Sequence, residues 1–336
     1  MDNVTTVGID LAKDTFSLHG VDALGCVALQ QSVKRRELLS VVRQLPPCLT
    51  GLETGSGAHQ WARECQAMGH CVKLMSPQFV APYRLGSKND GNDAAAICEA
   101  VQRPRMRFVP VKSLEQPSWL SLHRVHLGFI EERTAMCNRI RGLLAEFGFV
   151  LARKSATLRR VVPTLLESVP SHVARCLRDL LDHVRLLDER VAEYTREIVH
   201  HAKTHPGAKL IQERLGIGPM TASAYIAYLG DGSEFRNGRQ VVAWLGMVPK
   251  QHSTGGKARL GQITRRGDKD LRTLLVLGAR SVLQRAPKRD DAFSKWALQV
   301  RQRRGYHRAC VTIAAKNARV AWAMLQGRQP RRASAV

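Results

Sequence analysis

The chain has 336 residues, of which 44 % are hydrophobic, so it can form two or three compact domains with apolar cores. It has no apolar run long enough for a transmembrane helix, and "MDNVTTVGID" lacks the features of a secretory signal. Its eight cysteines are scattered without a C-x-x-C pair, which argues against a disulfide framework or a zinc site. We therefore expect a cytoplasmic protein without a membrane partner.

The net charge of +24 is concentrated in one part of the chain. Residues 1–112 and 113–205 are nearly balanced, whereas residues 206–336 hold 25 lysines and arginines against 7 aspartates and glutamates. A local basic excess of this size predicts a polyanionic partner. Nucleic acid is favoured over an acidic membrane surface or protein, and association with the nucleoid is expected.

Residues 1–112 predict a mixed α/β domain. Alternating and β-branched segments between residues 4 and 31 indicate three antiparallel strands, and "KRRELLSVVRQL" indicates a helix. Then come a strand at "CLTGLE", a helix at "SGAHQWARECQAMG", a strand at "HCVKLMSP" and a helix at "KNDGNDAAAIC". This order predicts a mixed sheet flanked by helices.

Residues 113–205 carry apolar residues at helical spacing in two long segments, residues 119–147 and 173–201. Two antiparallel helices forming a coiled arm are predicted, either as a dimer contact or only as part of a helical bundle. The intervening segment "RKSATLRRVVPTLLESVPS" is expected to be a connecting loop or a variable insertion.

Residues 206–330 predict a mostly α-helical basic domain, and residues 331–336 predict a disordered tail. In this domain Gly216 and Gly218 lie between two short helices. Such glycines either let backbone N–H groups bind a phosphate or simply permit a tight turn. A helix, a flexible polar loop, a short strand and a basic helix are expected after them.

Four carboxylates occupy related positions in the predicted sheet. Asp10 and Glu53 end two strands, while Asp90 and Asp93 open the helix that follows another strand. Individually these residues are ordinary, since a strand-end aspartate is often a turn residue and Asp90 is a possible helix N-cap. Together they would repel one another unless a cation neutralised them, and oxygen ligands suit Mg²⁺ or Mn²⁺. The set predicts a metal-dependent site for phosphoryl transfer.

Several segments resemble the Piv-like DEDD transposases of insertion-sequence family one-hundred-and-ten. "VGIDLAKDTF", "LETGSGAHQWARECQAMGHCVKLMSP" and "KNDGNDAAAICEA" resemble that family's RuvC-like, RNase H-fold N-domain. "LGIGPMTASAYIAYLGD" and "FRNGRQVVAWLGMVPKQHSTGGKARLGQITRRGDKDLR" resemble its C-terminal transposase domain. The resemblance is weakest in residues 113–205. It implies a RuvC-like catalytic domain in residues 1–112, with an acidic tetrad made of Asp10, Glu53, Asp90 and Asp93.

The resemblance further implies a C-terminal serine that attacks DNA and forms a covalent phosphoserine. The matching segment "PKQHSTGGK" offers Ser253, with the adjoining Thr254 as the alternative nucleophile. A primary hydroxyl is less hindered, which favours Ser253, and a metal ion or an acidic-site water is favoured over His252 as its activator. The basic residues nearby that can hold phosphates are Lys257, Arg259, Arg265 and Arg266.

Finally, the resemblance implies that a structured non-coding guide RNA of the element pairs with donor and target DNA. An aromatic content of 5 % agrees with a protein that holds nucleic-acid backbones rather than stacking on bases. The predicted function is a bacterial DNA transposase or site-specific recombinase that acts as a dimer or tetramer. The alternatives are a RuvC-like nuclease that hydrolyses with water and a non-catalytic nucleic-acid-binding protein.

Overall fold

The computed structural model describes residues 3–55 and 57–328. They form two compact units that meet in the chain between Ser113 and Leu114. The predicted tail at residues 331–336 lies outside the described residues. No helix in the described ranges combines the length and the apolar character needed to cross a membrane.

The first unit is built on a mixed sheet, as the sequence predicts, with a sixth strand in addition to the five predicted ones. The strands are β1 (Thr6–Asp10), β2 (Thr15–Val21), β3 (Val27–Lys34), β4 (Leu49–Glu53), β5 (Cys71–Met75) and β6 (Phe108–Val109). The helices are α1 (Leu38–Arg43), α2 (Ala58–Ala67), α3 (Pro77–Val80) and α4 (Asp90–Val101). The strand order is β3-β2-β1-β4-β5-β6, in which β1, β4 and β5 are mutually parallel and the other neighbours are antiparallel.

The two faces of this sheet differ because side chains alternate along each strand. Val7, Ile9 and Leu52 are fully buried in an apolar core that also contains residues of α1 and α2. The opposite face presents the glycines of the central strands, Gly8 and Gly51, to α4. The helices therefore cover the sheet on both sides.

The second unit is mostly helical. Its helices are α5 (Glu115–Ala145), α6 (Ser155–Leu165), α7 (Ser171–Thr204), α8 (Pro206–Ile211), α9 (Pro219–Leu229), α10 (Gly238–Trp244), α11 (Lys269–Arg285), α12 (Ala292–Arg304) and α13 (Tyr306–Leu325). A short hairpin of β7 (Pro249–Gln251) and β8 (Leu260–Ile263) separates α10 from α11. Every residue of α9 from Thr221 to Leu229 is buried, so this helix forms the centre of the unit.

Helices α5 and α7 pack against each other in antiparallel directions. Near the middle of the pair, Arg133 Nη1 lies 3.0 Å from Asp188 Oδ1. Towards the start of α5, His126 Nε2 lies 2.9 Å from Thr195 Oγ1. The residues of α7 buried along the contact share helical spacing; they are Leu177, Leu181, Val184, Leu187 and Ile198.

The expected loop between these two helices is wrong for residues 155–165, which form α6. Its apolar residues Leu158 and Val162 are one turn apart and fully buried, in a cluster with Ile140 of α5 and Leu177 of α7. This helix was missed at the sequence level because it contains Pro163, and proline usually ends or kinks a helix. Here it lies in the last turn, so the helix ends two residues after it and does not have to continue past it.

Candidate active site

The strands that carry two of the four carboxylates are neighbours in the sheet. β1 and β4 run parallel with Gly8 opposite Gly51, so their carboxyl ends share one edge. Asp10 ends β1 and Glu53 ends β4, each two residues after its glycine. Because the side-chain period of a strand is two, both carboxylates lie on the face that α4 covers.

Helix α4 lies unusually close to this face. A Cβ added at Gly8 would stand only 2.3 Å from Ala94 O and 2.3 Å from Cys98 N, which are backbone atoms of the helix. Further along, Cys98 Sγ lies 3.7 Å from Thr6 O, so α4 runs antiparallel to β1. The first turn of the helix is thereby brought to the end of β1 that carries Asp10.

Two of the four carboxylates, Asp10 and Glu53, are affected by their acidic neighbours. The pKa of Asp10 is raised by burial and then by Asp93 and Asp90. The pKa of Glu53 is raised by burial and then by Asp10 and Asp93. A cation placed among them would remove this repulsion, so the donor set fits a divalent ion. No three of these described carboxylates have oxygens all within 4.8 Å of one another, so in this structure they are spread more widely than three ligands of one ion would be. Mg²⁺ usually keeps several waters and binds through one or two carboxylates, which is the mode of binding that this spacing permits.

Three residues missed at the sequence level support the first turn of α4. Arg84 Nη1 lies 3.0 Å from Asp93 Oδ1, and Arg84 and Lys88 both oppose the raised pKa of Glu53. The N-cap of α4 is Asn89, whose side chain accepts a hydrogen bond from Asn92 N at 2.8 Å. Asp90 is therefore the first helical residue, and its carboxylate is not needed as the cap. Basic residues directly before an acidic pair were the available signal.

Ser253 lies in an ordered hairpin, where the sequence predicted a flexible loop and one strand. Thr254 and Lys257 pair across a turn whose central residues, Gly255 and Gly256, have φ angles of 57° and 77°. Two successive left-handed residues make the type I′ turn that suits a hairpin, which explains the glycine pair. Ser253 Oγ accepts hydrogen bonds from Gln251 Nε2 at 2.9 Å and from Arg259 N at 3.4 Å.

The hairpin is exposed along its length and anchored at its root. Every residue from 249 to 262 is exposed. At the root, Thr264 N donates to Val248 O at 2.8 Å and Arg265 N donates to Gly246 O at 2.9 Å. Arg265 adopts a left-handed φ of 55°, which the neighbouring backbone holds in place. Lys257, Arg259, Arg265 and Arg266 are all exposed on this hairpin or its root.

Gly216 and Gly218 occupy different environments. Gly216 has a φ of 88°, and a Cβ there would stand 2.7 Å from Val282 Cγ2 and 2.9 Å from Asn317 Nδ2. This close packing accounts for Gly216 as a turn glycine. Gly218 is exposed at the N-cap of α9, with open space at its Cβ position. Of the two, Gly218 has the space for a phosphate.

Comparison with known proteins places the chain in a family. A model of IS110-type DEDD transposases matches residues 7–149, and a model described as "Transposase IS116/IS110/IS902 family" matches residues 208–295. A "Probable family 20 transposase" of Pseudomonas aeruginosa is 46 % identical over 96 % of this chain and 97 % of its own length. The transposase of element IS1111A from Coxiella burnetii is 38 % identical over 100 % of this chain and 93 % of its own length.

A third relative, the transposase of element IS1328 from Yersinia enterocolitica, is 38 % identical over 96 % of this chain and 97 % of its own length. The range matched by the first family model, residues 7–149, contains the four carboxylates, and the range matched by the second, residues 208–295, contains the hairpin. Since the relatives align over nearly the whole chain in both directions, the chain belongs to the IS116/IS110/IS902 family of insertion-sequence transposases, which are DNA recombinases with an implied dependence on a divalent metal ion.

Proposed function

We propose that this transposase cuts and rejoins DNA through a covalent phosphoserine at Ser253, together with a Mg²⁺ or Mn²⁺ site formed by Asp10, Glu53, Asp90 and Asp93. The observation that carries the metal site is the placement of Asp10 and Glu53 at one edge of the sheet beside the first turn of α4. After burial, Asp93 and Asp90 raise the pKa of Asp10, and Asp10 and Asp93 raise the pKa of Glu53. The strand order β3-β2-β1-β4-β5, with an antiparallel half and a parallel half, supports an RNase H-like, RuvC-like assignment of this domain.

The acidic site would act on the phosphate that Ser253 attacks. Asp10, Glu53, Asp90 and Asp93 would hold the ion, and Arg84 would keep Asp93 in place. When bound, the divalent ion supplies charge stabilisation to the attacking and leaving oxygens of the phosphodiester. The carboxylates must be ionised to hold the ion. Their mutual repulsion disfavours ionisation, and the positive charge of the ion would offset that repulsion.

The hydrogen bonds of Ser253 hold its side chain in place but do not activate it. Its Oγ accepts from Gln251 Nε2 and Arg259 N, so both lone pairs have donors, and attack would require one donor to turn away and a base to take the hydroxyl proton. An Oγ–phosphorus bond forms as the bond from phosphorus to one sugar oxygen breaks, and that oxygen takes up a proton. In rejoining, a sugar hydroxyl of another strand attacks the phosphoserine and releases Ser253. The number of phosphodiester bonds is conserved, so no external energy source is needed.

The exposed basic residues of the hairpin would bind the nucleic-acid backbone. Lys257 and Arg259 lie beside Ser253 in the chain, while Arg265 and Arg266 lie at the anchored root. Arginine can contact phosphate through two parallel hydrogen bonds. Gly218, open at the start of α9, would let a phosphate approach the helix N-terminus, while Gly216 would shape the turn before it.

We further propose that a structured non-coding RNA of the element guides target choice, and that the protein acts as a dimer or tetramer near the nucleoid. Support comes from the basic excess after residue 206 and the aromatic content of 5 %, which suit backbone contacts. Cleavage of two duplexes requires several active sites, and the antiparallel α5–α7 pair offers a long surface for a subunit contact.

The proposal is tested by trapping the protein–DNA adduct with denaturant. Ser253→Ala should abolish the adduct and strand exchange while DNA binding is retained. Thr254→Val, which removes the neighbouring hydroxyl without changing side-chain size much, should retain the adduct. If Ser253→Ala still forms the adduct and Thr254→Val does not, the nucleophile is Thr254. Cleavage that persists in Ser253→Ala without an adduct would instead favour hydrolysis by water.

A further inference from the structure

A second group of potential metal ligands lies in the helical unit, away from the residues discussed so far. Glu115, His201 and His205 each place one ligand atom within 4.8 Å of the others, and among the described residues this is the one group of three or more that does so. Glu115 is the first residue of α5, His201 lies in the last turn of α7, and His205 follows that helix. The four-residue step from His201 to His205 is one helical turn, which keeps both imidazoles on one side.

The unusual member of the group is His201. His201 is 3 % exposed, and its Nε2 atom has no hydrogen-bond partner among the described residues. The other ring nitrogen, Nδ1, lies 2.8 Å from Ser223 Oγ, and Trp119 stacks on the ring with centroids 3.8 Å apart. A buried polar atom without a partner costs free energy, so a buried Nε2 that is held in place and left unpaired suggests a missing ligand.

We propose that Glu115, His201 and His205 bind a Zn²⁺-type transition-metal ion. Two imidazoles and one carboxylate form a known three-residue donor set for this class of metal, with a further coordination position left open. His205 Nδ1 accepts a hydrogen bond from Ala208 N at 3.3 Å, which places the proton of a neutral imidazole on Nε2. Ligation through Nε2 would move that proton to Nδ1 and replace this long hydrogen bond with the metal bond. Glu115 is exposed, so the open position would face solvent. Burial lowers the pKa of His201 to about 4, which agrees with a neutral imidazole.

The surrounding hydrogen bonds can place the proton of His201 where a metal requires it. Ligation through Nε2 requires the proton on Nδ1, which would donate to Ser223 Oγ. The Ser223 hydroxyl would then donate to His123 Nε2, which lies 2.8 Å away. Each of these three groups is satisfied in this arrangement. Ser223 is thus a positioning residue for His201 rather than a ligand.

A metal at this place would tie the start of α5 to the end of α7. The group differs from the four carboxylates in its chemistry, because imidazole nitrogens favour zinc-like ions over Mg²⁺. By joining the first residue of α5 to the last turn of α7, the ion would stabilise the base of the α5–α7 pair, where Trp119 and His201 already stack.

The experiment is a Zn²⁺ titration of the full chain after removal of metals with a chelator, combined with thermal unfolding. His205→Asn and Glu115→Gln should each weaken binding of one equivalent at least tenfold and abolish the rise in Tm that Zn²⁺ gives the wild type. Asparagine at position 205 preserves the cap of α8, since it is itself a favourable N-cap. The matched control is His200→Asn, which alters an exposed neighbour and should bind as the wild type does.

Asp10→Asn serves as the control for zinc bound at the acidic residues, and it should leave this equivalent unchanged. The proposal is overturned if the wild type binds no Zn²⁺ at low micromolar concentration. It is equally overturned if His205→Asn and Glu115→Gln both retain wild-type affinity, because the bound ion would then be held by other residues.

Discussion

The close contact between Gly8 and α4 makes a sharp prediction for Gly8→Ala. The added Cβ would stand 2.3 Å from two backbone atoms of the helix, Ala94 O and Cys98 N, whereas ordinary contacts begin at 3.4 Å. The helix backbone must therefore move by about 1 Å, because a main-chain atom cannot rotate away as a side chain can. Overpacking of this kind costs about 1–3 kcal/mol of unfolding free energy.

The same shift should impair catalysis, since it carries Asp90 and Asp93 away from Asp10. A misplacement of about 1 Å in an active site can cost about 100-fold in rate. We expect a loss of that order in strand cleavage, measured under single-turnover conditions with saturating metal, and a lower urea midpoint of unfolding. Gly51→Ala should cost less, because its Cβ would meet Val101 Cβ at 2.9 Å and the nearest backbone atom, Ile97 O, only at 3.2 Å.

The matched control is Gly91→Ala in the first turn of the same helix. A Cβ there would meet Asn89 Oδ1 at 3.5 Å, an ordinary contact, so the change should stabilise the helix by up to about 1 kcal/mol and retain cleavage. Wild-type stability and cleavage in Gly8→Ala would refute the claim that tight packing on Gly8 positions the acidic residues.

Three further predictions concern charge and packing. In metal-free protein, Asp10→Asn should raise Tm at pH 7. The pKa of Asp10 in the folded state is raised above its ordinary 3.8, so the folded chain holds this proton more tightly than the unfolded chain. The folded state therefore loses stability as the pH rises from 3.8 through the raised pKa, and an asparagine avoids that loss. Saturating Mg²⁺ should reduce this gain in Tm. An unchanged or lower Tm in metal-free Asp10→Asn would contradict the claim that the carboxylates repel one another. Gly216→Ala should lower the unfolding free energy by at least about 1 kcal/mol, because of the left-handed φ and close packing, whereas Gly218→Ala, tested in parallel, should be nearly neutral. DNA affinity should fall steeply with salt in filter-binding assays; a flat response would contradict phosphate contacts by the basic C-terminal region.

Hydrophobic patterning predicted most of the first unit. Strands β1 to β5 and helices α1, α2 and α4 occur where alternation or helical spacing indicated them, because these segments bury one face or both. Strand β6 was missed because two residues, Phe108 and Val109, carry no periodicity. One short strand was predicted in the region of the β7–β8 hairpin, but its partner strand was not, because every residue of the hairpin up to 262 is exposed and no apolar alternation marks it.

The part of the candidate site that depends on strand ends and helix starts could be predicted from the sequence. Asp10 and Glu53 could be placed at strand ends, and Asp90 and Asp93 at a helix start, which is where the structure has them. The ion pair between Arg84 and Asp93 could not be derived, because it depends on the path of an irregular segment. The Glu115–His201–His205 group was likewise hidden, since it forms only when two helices pack.

The most direct test of the account is adduct formation by Asp10→Asn with Ser253 left intact. If the acidic residues and the serine serve one chemical step, this variant should bind DNA with wild-type affinity and form no trapped protein–DNA adduct in saturating Mg²⁺. An adduct formed by Asp10→Asn at the wild-type rate would show that Ser253 reacts without the acidic site, and would contradict the proposed mechanism.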